Sequence, residues 1–287
     1  MRHCAVALFC MFIMAASCAA SIAASSLPTA SPLPPDSSGA SNPSGPISWN
    51  ALLPGFEMAE LTAINPLATF IVIRVDPQRY EFTLHMASEG QNGSLADIAT
   101  EHSLLAAVNA GMYLPDQRTS TGYLKSPTHI NNARIARKFG SFFVAAPKKK
   151  GLPLAALLDR DADDWQKAIA DYSLVVQNYR LTNTQGKVLW PLDATSHCIA
   201  ALGQDHNGAI LLIFGKSPMN PASFAATLLA LPLDIRSLMY LEGGNPAALL
   251  VRAGDVRGQW SGNRLGPLLG GQQTDKPVPN ILGVRAR

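Results

Sequence analysis

Beyond residue 18 the chain has a single cysteine, Cys198, so its folded part has no partner for an internal disulfide. Cys4, Cys10 and Cys18 all fall in the first 18 residues. Charge is scarce too: Asp, Glu, Lys and Arg make up 15% of the 287 residues, against roughly 25% in ordinary soluble domains. Between Arg2 and Glu57 the only charged residue is Asp36. A net charge of +3 is small and dispersed, and the one compact basic run, Lys148–Lys150, reads as a solvated loop. Nucleic acid is therefore not an expected partner. Internal repeats, long heptads and a second linker are also missing, which favours one domain over an array.

The uncharged start has a pattern of its own. A basic residue, Arg2, precedes an apolar run from Ala5 to Ala16 and then small residues to Ala24, the order of an export signal over 1–24. The run from Cys4 is about long enough to cross a bilayer, roughly 20 residues, but its second half is only Ala, Ser, Cys and Ile. Ala-x-Ala-like cleavage sites lie near Ala20 and Ala24. Ala15-Ala16-Ser17-Cys18 resembles a lipoprotein box with Ala15 in place of the usual Leu, so a lipid on Cys18 is the only membrane contact expected. Residues 26–46 hold six Pro, six Ser and two Gly, a composition that buries too little to offset its ordering entropy. The expected division is signal 1–24, Pro/Ser-rich tether 25–47 and a folded domain 48–287, in a protein that works in the periplasm or outside the cell.

Common catalytic signatures are absent as well. Gly215-Lys216-Ser217 resembles the tail of a P-loop, but Ile210 occupies the position of its first glycine. No Gly-x-Ser-x-Gly elbow, His-Glu-x-x-His helix or Cys-x-x-Cys pair occurs. His85, His102, His129, His197 and His206 are scattered singly along the sequence.

The patterns that are present alternate between strand and helix. Thr69–Val75 reads as a buried strand, and after the Asp76-Pro77 turn Tyr80, Phe82, Leu84 and Met86 share one face of another, a hairpin. Ser94 with Asp97 caps a short helix, and Leu104–Val108 reads as a strand. Strands are expected at 140–145 and 172–176, with a helix at 161–170 between them. Ile199–Leu202 and Ala209–Phe214 pair through a turn at Asp205, Asn207 and Gly208. Asn220-Pro221 caps a helix, and Ser237–Leu241 follows as a strand. The length of that last connection predicts a crossover with locally parallel pairing. The expected class is α+β (mixed α/β), a single domain with one mixed, largely antiparallel sheet flanked by helices.

Two segments place polar and glycine residues after an apolar strand, where sites form. One runs from Ala107 and Val108 through Asn109, Ala110, Gly111, Met112, Tyr113, Leu114, Pro115 and Asp116, continuing to Thr121, Gly122 and Tyr123. The other is Met239-Tyr240-Leu241-Glu242-Gly243-Gly244-Asn245-Pro246-Ala247-Ala248. Read alone, each is equally a plain turn, with Asn109 bonded to its own backbone and Glu242 a solvated carboxylate.

Taken together, the two segments resemble the phosphodiester glycosidase family. The likeness spans Asn109 to about Val251, with weaker matches at 173–178 and 196–208. It implies hydrolysis of a sugar–phosphate bond, with a glycan or sugar phosphodiester as the partner. It implies Glu242, Asn109 and His197 as catalytic residues, and Gly111, Tyr113, Asp116, Tyr123, Gly243, Gly244 and Asn245 around the substrate. In that arrangement Tyr113 and Tyr123 would wall the sugar ring and the two glycines would present N–H groups. Asp116 would be a second carboxylate. No cofactor is expected, although Glu242, Asp116 and Asn109 are oxygen donors of the kind calcium takes.

The chain departs from the family pattern in three places. Glu242 stands where the family has aspartate, His197 where it commonly has arginine, and Asn245-Pro246-Ala247 where a small polar residue and serine are usual. These changes set a non-catalytic glycan-binding or envelope-assembly role beside the enzymatic one.

Overall fold

The computed structural model describes residues 45–262 and 277–287. The expected signal, and the tether up to residue 44, lie outside the described residues.

The described strands, in chain order, begin with β1 (Asn50–Leu53), β2 (Phe56–Ile64), β3 (Leu67–Val75) and β4 (Tyr80–Met86). Next come β5 (Ala106–Asn109), β6 (Leu124–Lys125), β7 (Ile130–Asn132), β8 (Ser141–Pro147), β9 (Ala155–Asp159) and β10 (Tyr172–Asn178). The last are β11 (His197–Asp205), β12 (Ile210–Met219), β13 (Ile235–Gly243), β14 (Ala248–Ala253), β15 (Val256–Ser261) and β16 (Asn280–Ala286). Three helices, α1 (Leu95–Glu101), α2 (Trp165–Asp171) and α3 (Pro221–Leu229), lie between them.

The strands form three sheets, ordered β1-β2-β3-β12-β11-β13, β7-β6-β10-β8-β9 and β15-β14-β5-β16-β4. Every strand pairing within them is antiparallel. All three contribute one face to a common core, as period-two alternation requires. Along β12, Ile210, Leu212 and Phe214 enter that core, while Leu211 and Ile213 turn to the opposite face. Both faces of β12 are buried, which is why its sequence is continuously apolar. Phe82 of the third sheet meets Phe143 of the second edge to face, with ring centroids 5.1 Å apart.

Each helix covers the outer face of one sheet. Leu95, Ile98 and Ala99 of α1 pack on Ala107, Leu250 and Ile281, and Ser94 and Asp97 form the expected capping box. Trp165 and Ile169 of α2 pack on Phe142, Val144 and Tyr172. Phe224 and Leu228 of α3 pack on Phe70, Ile199 and Ile213, and Asn220 caps the helix by accepting from Ala222 and Ser223.

The class is α+β, but three sheets replace the single one expected, and two local expectations are corrected. β3 and β4 do not form a hairpin: the Asp76-Pro77 turn carries the chain from the first sheet to the third, where β4 pairs with β16. Both strands have apolar faces in the common core, so their alternation is the same whether or not they are neighbours. β12 and β13 run in the same direction but do not pair, because β11 lies between them, antiparallel to both.

Candidate active site

One strand from each sheet ends in the same region: β5 on Asn109, β10 on Asn178 and β13 on Glu242 and Gly243. Two side-chain amides brace this region, Asn178 between the ends of β10 and β13 and Asn109 between the end of β5 and the loop after β13. Asn109, 1% exposed, donates from Nδ2 to the Pro246 carbonyl at 3.0 Å and accepts at Oδ1 from the Ala248 N–H at 2.7 Å. Asn178 donates from Nδ2 to the Leu241 carbonyl at 2.9 Å and accepts from the Tyr179 N–H at 2.8 Å. Gly111 passes against the second amide with φ +124°, and a Cβ there would lie 3.0 Å from Asn178 Nδ2. Removing either amide strands buried backbone groups, at about 1–3 kcal/mol each.

Between these clamps β13 carries a bulge. Ala200 faces Glu242 and Ala201 faces Tyr240, leaving Leu241 as an extra residue. Cross-strand partners share a face, so Glu242 is on the side of the common core with Ala200, and Tyr240 is on the α3 side with Ala201. The bulge thus turns a carboxyl inward at the strand end. Glu242 is 8% exposed, and its Oε1 accepts the Gly243 N–H at 2.9 Å. Burial pushes its pKa up to about 7, with the Gly243 bond pulling the other way. The hydroxyls of Tyr113 and Tyr240 are raised first by burial and then by the charge of Glu242, which places both within its field.

On the other side of the strand His197 Nε2 lies 3.1 Å from the Tyr240 hydroxyl. A Cβ at Gly243 would fall 2.0 Å from that hydroxyl and 2.3 Å from His197 Nε2, so nothing larger than glycine fits. Burial lowers the His197 pKa, opposed by a backbone hydrogen bond at Thr195, and so favours the uncharged ring. It therefore lacks the permanent charge of an arginine. Rings continue outward from Tyr240 to Trp190 at 5.0 Å, Tyr179 at 4.9 Å and Phe139 at 4.4 Å.

Glu242, Tyr113 and the loop held by Asn109 are thus brought together, with His197 behind Gly243. Other expected contacts lie elsewhere or are already used. The Gly243 N–H is bonded to Glu242 and the Gly244 N–H to the Cys198 carbonyl. Asp116 closes its own turn, accepting from the Arg118 and Thr119 N–H groups and the Thr119 hydroxyl. Tyr123 packs with the Phe142 and Trp165 cluster under α2, and Asn245 is exposed on the clamped loop. No cluster of three His, Cys, Asp or Glu that could hold a metal occurs among the described residues.

Sequence patterns alone assign no role to Tyr240, Asn178, Tyr179 or Trp190. Asn178 carried the same signal as Asn109, an amide closing a buried strand. Nor are all the histidines isolated: the His85 and His102 rings lie 4.0 Å apart, and burial lowers His85 to about 4.

The buried carboxyl makes stability depend on pH. Its pKa is raised from 4.5 to about 7 on folding, so Glu242 costs nothing below pH 4.5 and destabilises progressively as pH rises to 7. Above that the cost is about 3 kcal/mol. Glu242→Gln removes it: the variant should unfold at higher urea than wild type at pH 8, and the gap should close at pH 4. Equal midpoints at pH 8 would show the carboxylate is solvated.

Comparisons with known proteins agree with this architecture. No curated protein matches the chain. Among solved structures it is similar to a Synechocystis protein of unassigned function, with TM-score 0.59 and 12% identity over 85% of this chain and 64% of that one. It is similar to the catalytic domain of zebrafish N-acetylglucosamine-1-phosphodiester alpha-N-acetylglucosaminidase, auto-inhibited by its pro-peptide, with TM-score 0.54 and 13% identity over 86% of both chains. A Burkholderia pseudomallei protein gives TM-score 0.52 and 12% identity over 76% of this chain and 74% of that one. At such identities these likenesses concern the fold alone. The sequence profile of the phosphodiester glycosidase family matches residues 102–285, from before β5 through most of β16. With more than half its length so matched, the chain belongs to the phosphodiester glycosidase family.

Proposed function

We propose that this glycosidase-type hydrolase is exported and cleaves a glycosyl phosphodiester in envelope or exopolysaccharide glycans, with Glu242 as its acting carboxylate. The observation that carries the reading is one buried carboxyl of near-neutral pKa at the meeting point of three strand ends. Glycosidases acting on ordinary glycosides use two carboxyl groups, because an alkoxide leaving group needs a proton. A phosphate monoester is a much weaker base and departs with the bonding electrons unprotonated. One carboxylate then suffices: water adds to the anomeric carbon, Glu242 takes the water's proton, and the bond from that carbon to the phosphate oxygen breaks.

On this reading Tyr113 faces the sugar, and Asn109 and Asn178 are positioning residues that hold the loop and strand end. The neutral His197–Tyr240 pair offers hydrogen bonding to the departing phosphate without a fixed charge. The missing fixed charge also supports the second reading, a glycan-binding protein that keeps the fold without turnover. Export is proposed from the signal-like start, with a free or lipid-bearing N-terminus as the two forms.

Purified protein should hydrolyse an aryl N-acetylglucosaminyl phosphodiester, and kcat/KM should rise about tenfold per pH unit below 7 and level off above it, as ionised Glu242 accumulates. Glu242→Gln should lose at least about a hundredfold, in the range of a general base, and Asn109→Ala should lose less. No turnover by wild type, or full turnover by Glu242→Gln, sinks the enzymatic assignment. Glycan binding without turnover would leave the second reading standing. Mass spectrometry of the protein from an exporting host should show an N-terminus after the signal, at lipidated Cys18 or near Ala20 to Ala24. An intact Met1 start would refute export.

A further inference from the structure

A cavity of about 390 Å³ opens beside the candidate active site, lined among others by Lys138, Gly140, Tyr179, Arg180, Trp190 and Pro191. That volume lies within the range of small-ligand clefts. Its walls belong to the same framework as Glu242. The chain leaving β10 runs along the outer edge of β13, with the Tyr240 N–H donating to the Tyr179 carbonyl at 3.0 Å and the Leu181 N–H to the Leu238 carbonyl at 2.9 Å. Trp190 returns over this edge through the Leu189 N–H, which donates to the Leu181 carbonyl at 2.9 Å.

The rings of Trp190 and Tyr179 are half-buried, supported from behind by Phe139 and Tyr240, and so present fixed faces. The cavity's charges are unequal in availability. Arg180 is spent on Asp159 and on Asp161, the latter at 2.6 Å. Lys138 is exposed and forms no ion pair among the described residues. Gly140 lets the Arg180 side chain lie close against the backbone, since a Cβ there would come within 3.2 Å of Arg180 Nε.

We infer that this cavity is a subsite for a further sugar unit of an anionic glycan, stacked on Trp190 and Tyr179 with its carboxylate or phosphate facing Lys138. A pyranose has an apolar C–H face that an aromatic wall desolvates and a hydroxyl rim that stays wet, which is the division this cavity offers. The continuous line of rings from Trp190 through Tyr240 to His197 leads from the subsite to the back of the Glu242 strand end. The enzyme would then hold a chain rather than a lone sugar phosphate. The subsite rests on the glycan reading of the Glu242 site, but binding there needs no turnover.

Calorimetric titration of the mature protein with tetragalacturonate, N-acetylglucosamine 1-phosphate and neutral chitotetraose tests it. At least one anionic probe should bind saturably and more tightly than chitotetraose, tetragalacturonate indicating a carboxylate and the sugar phosphate a phosphate. Trp190→Ala should weaken that binding about tenfold, as the loss of one stacking partner does. Lys138→Ala, at an exposed position that does not support the fold, should abolish the preference for the anionic probe.

No binding of any probe, equal binding of charged and neutral probes, or binding unchanged in Lys138→Ala would overturn the subsite while leaving phosphodiester turnover intact. Binding lost in Glu242→Gln but kept in Lys138→Ala would move the ligand to the catalytic carboxyl and also overturn it. Loss of aryl phosphodiester turnover in wild type would refute the enzymatic reading, and the titration would still report on the subsite.

Discussion

Two asparagine amides hold the junction on which the rest of the site depends. Asn109 spans from the end of β5 to the loop before β14, and Asn178 from the end of β10 to the last turn of β13. Asn178 satisfies a backbone carbonyl of a different sheet, whereas Asn109 ties the loop between β13 and β14 to its own sheet, one step beyond the β5–β14 ladder. Buried backbone groups left without partners cost as much as lost hydrogen bonds. Asn178 therefore ties the first and second sheets at this point, and Asn109 fixes the loop. The bulge at Leu241 then puts Glu242 on the side of the common core, and burial supplies the raised pKa without a second charged group.

The same geometry explains how this chain tolerates its departures from the family pattern. Glycine at 243 is required by the Tyr240 hydroxyl and the His197 ring packed against it. An imidazole fits that space and pairs with the phenol, whereas it brings no permanent positive charge. Asn245 and Pro246 lie on a loop whose backbone is held by Asn109, so their side chains are free to vary at the surface. The features kept are those that position the carboxyl. The features changed are those that would face a phosphate.

Much of this was legible in the sequence, for identifiable reasons. Alternation and caps placed the helices begun by Ser94 and Asn220 and the strands around Tyr80–Met86 and Ile199–Leu202, because those signals are local. Sheet membership was not legible. The alternation of Thr69–Val75 and of Tyr80–Met86 says that each buries a face, not that they bury it in different sheets. At the site, Glu242 and Asn109 stood out as polar residues after apolar strands, but their contacts depend on residues more than a hundred positions apart. Asp116 is engaged in closing its own turn and Tyr123 in the cluster under α2, and neither engagement is visible in the composition of the segment. Trp190 could not be placed at all, because only the edge pairing of 179–182 with β13 brings it to Tyr240.

The central claim is that the fold holds Glu242 as a buried acid poised near neutrality. Carbon-13 NMR titration of the glutamate side-chain carboxyls, with the Glu242 signal assigned by its absence in Glu242→Gln, measures this directly. A midpoint near 7 is the expected result. A midpoint near 4.5, the ordinary value, would mean that water reaches the carboxyl and that the strand ends do not enclose it.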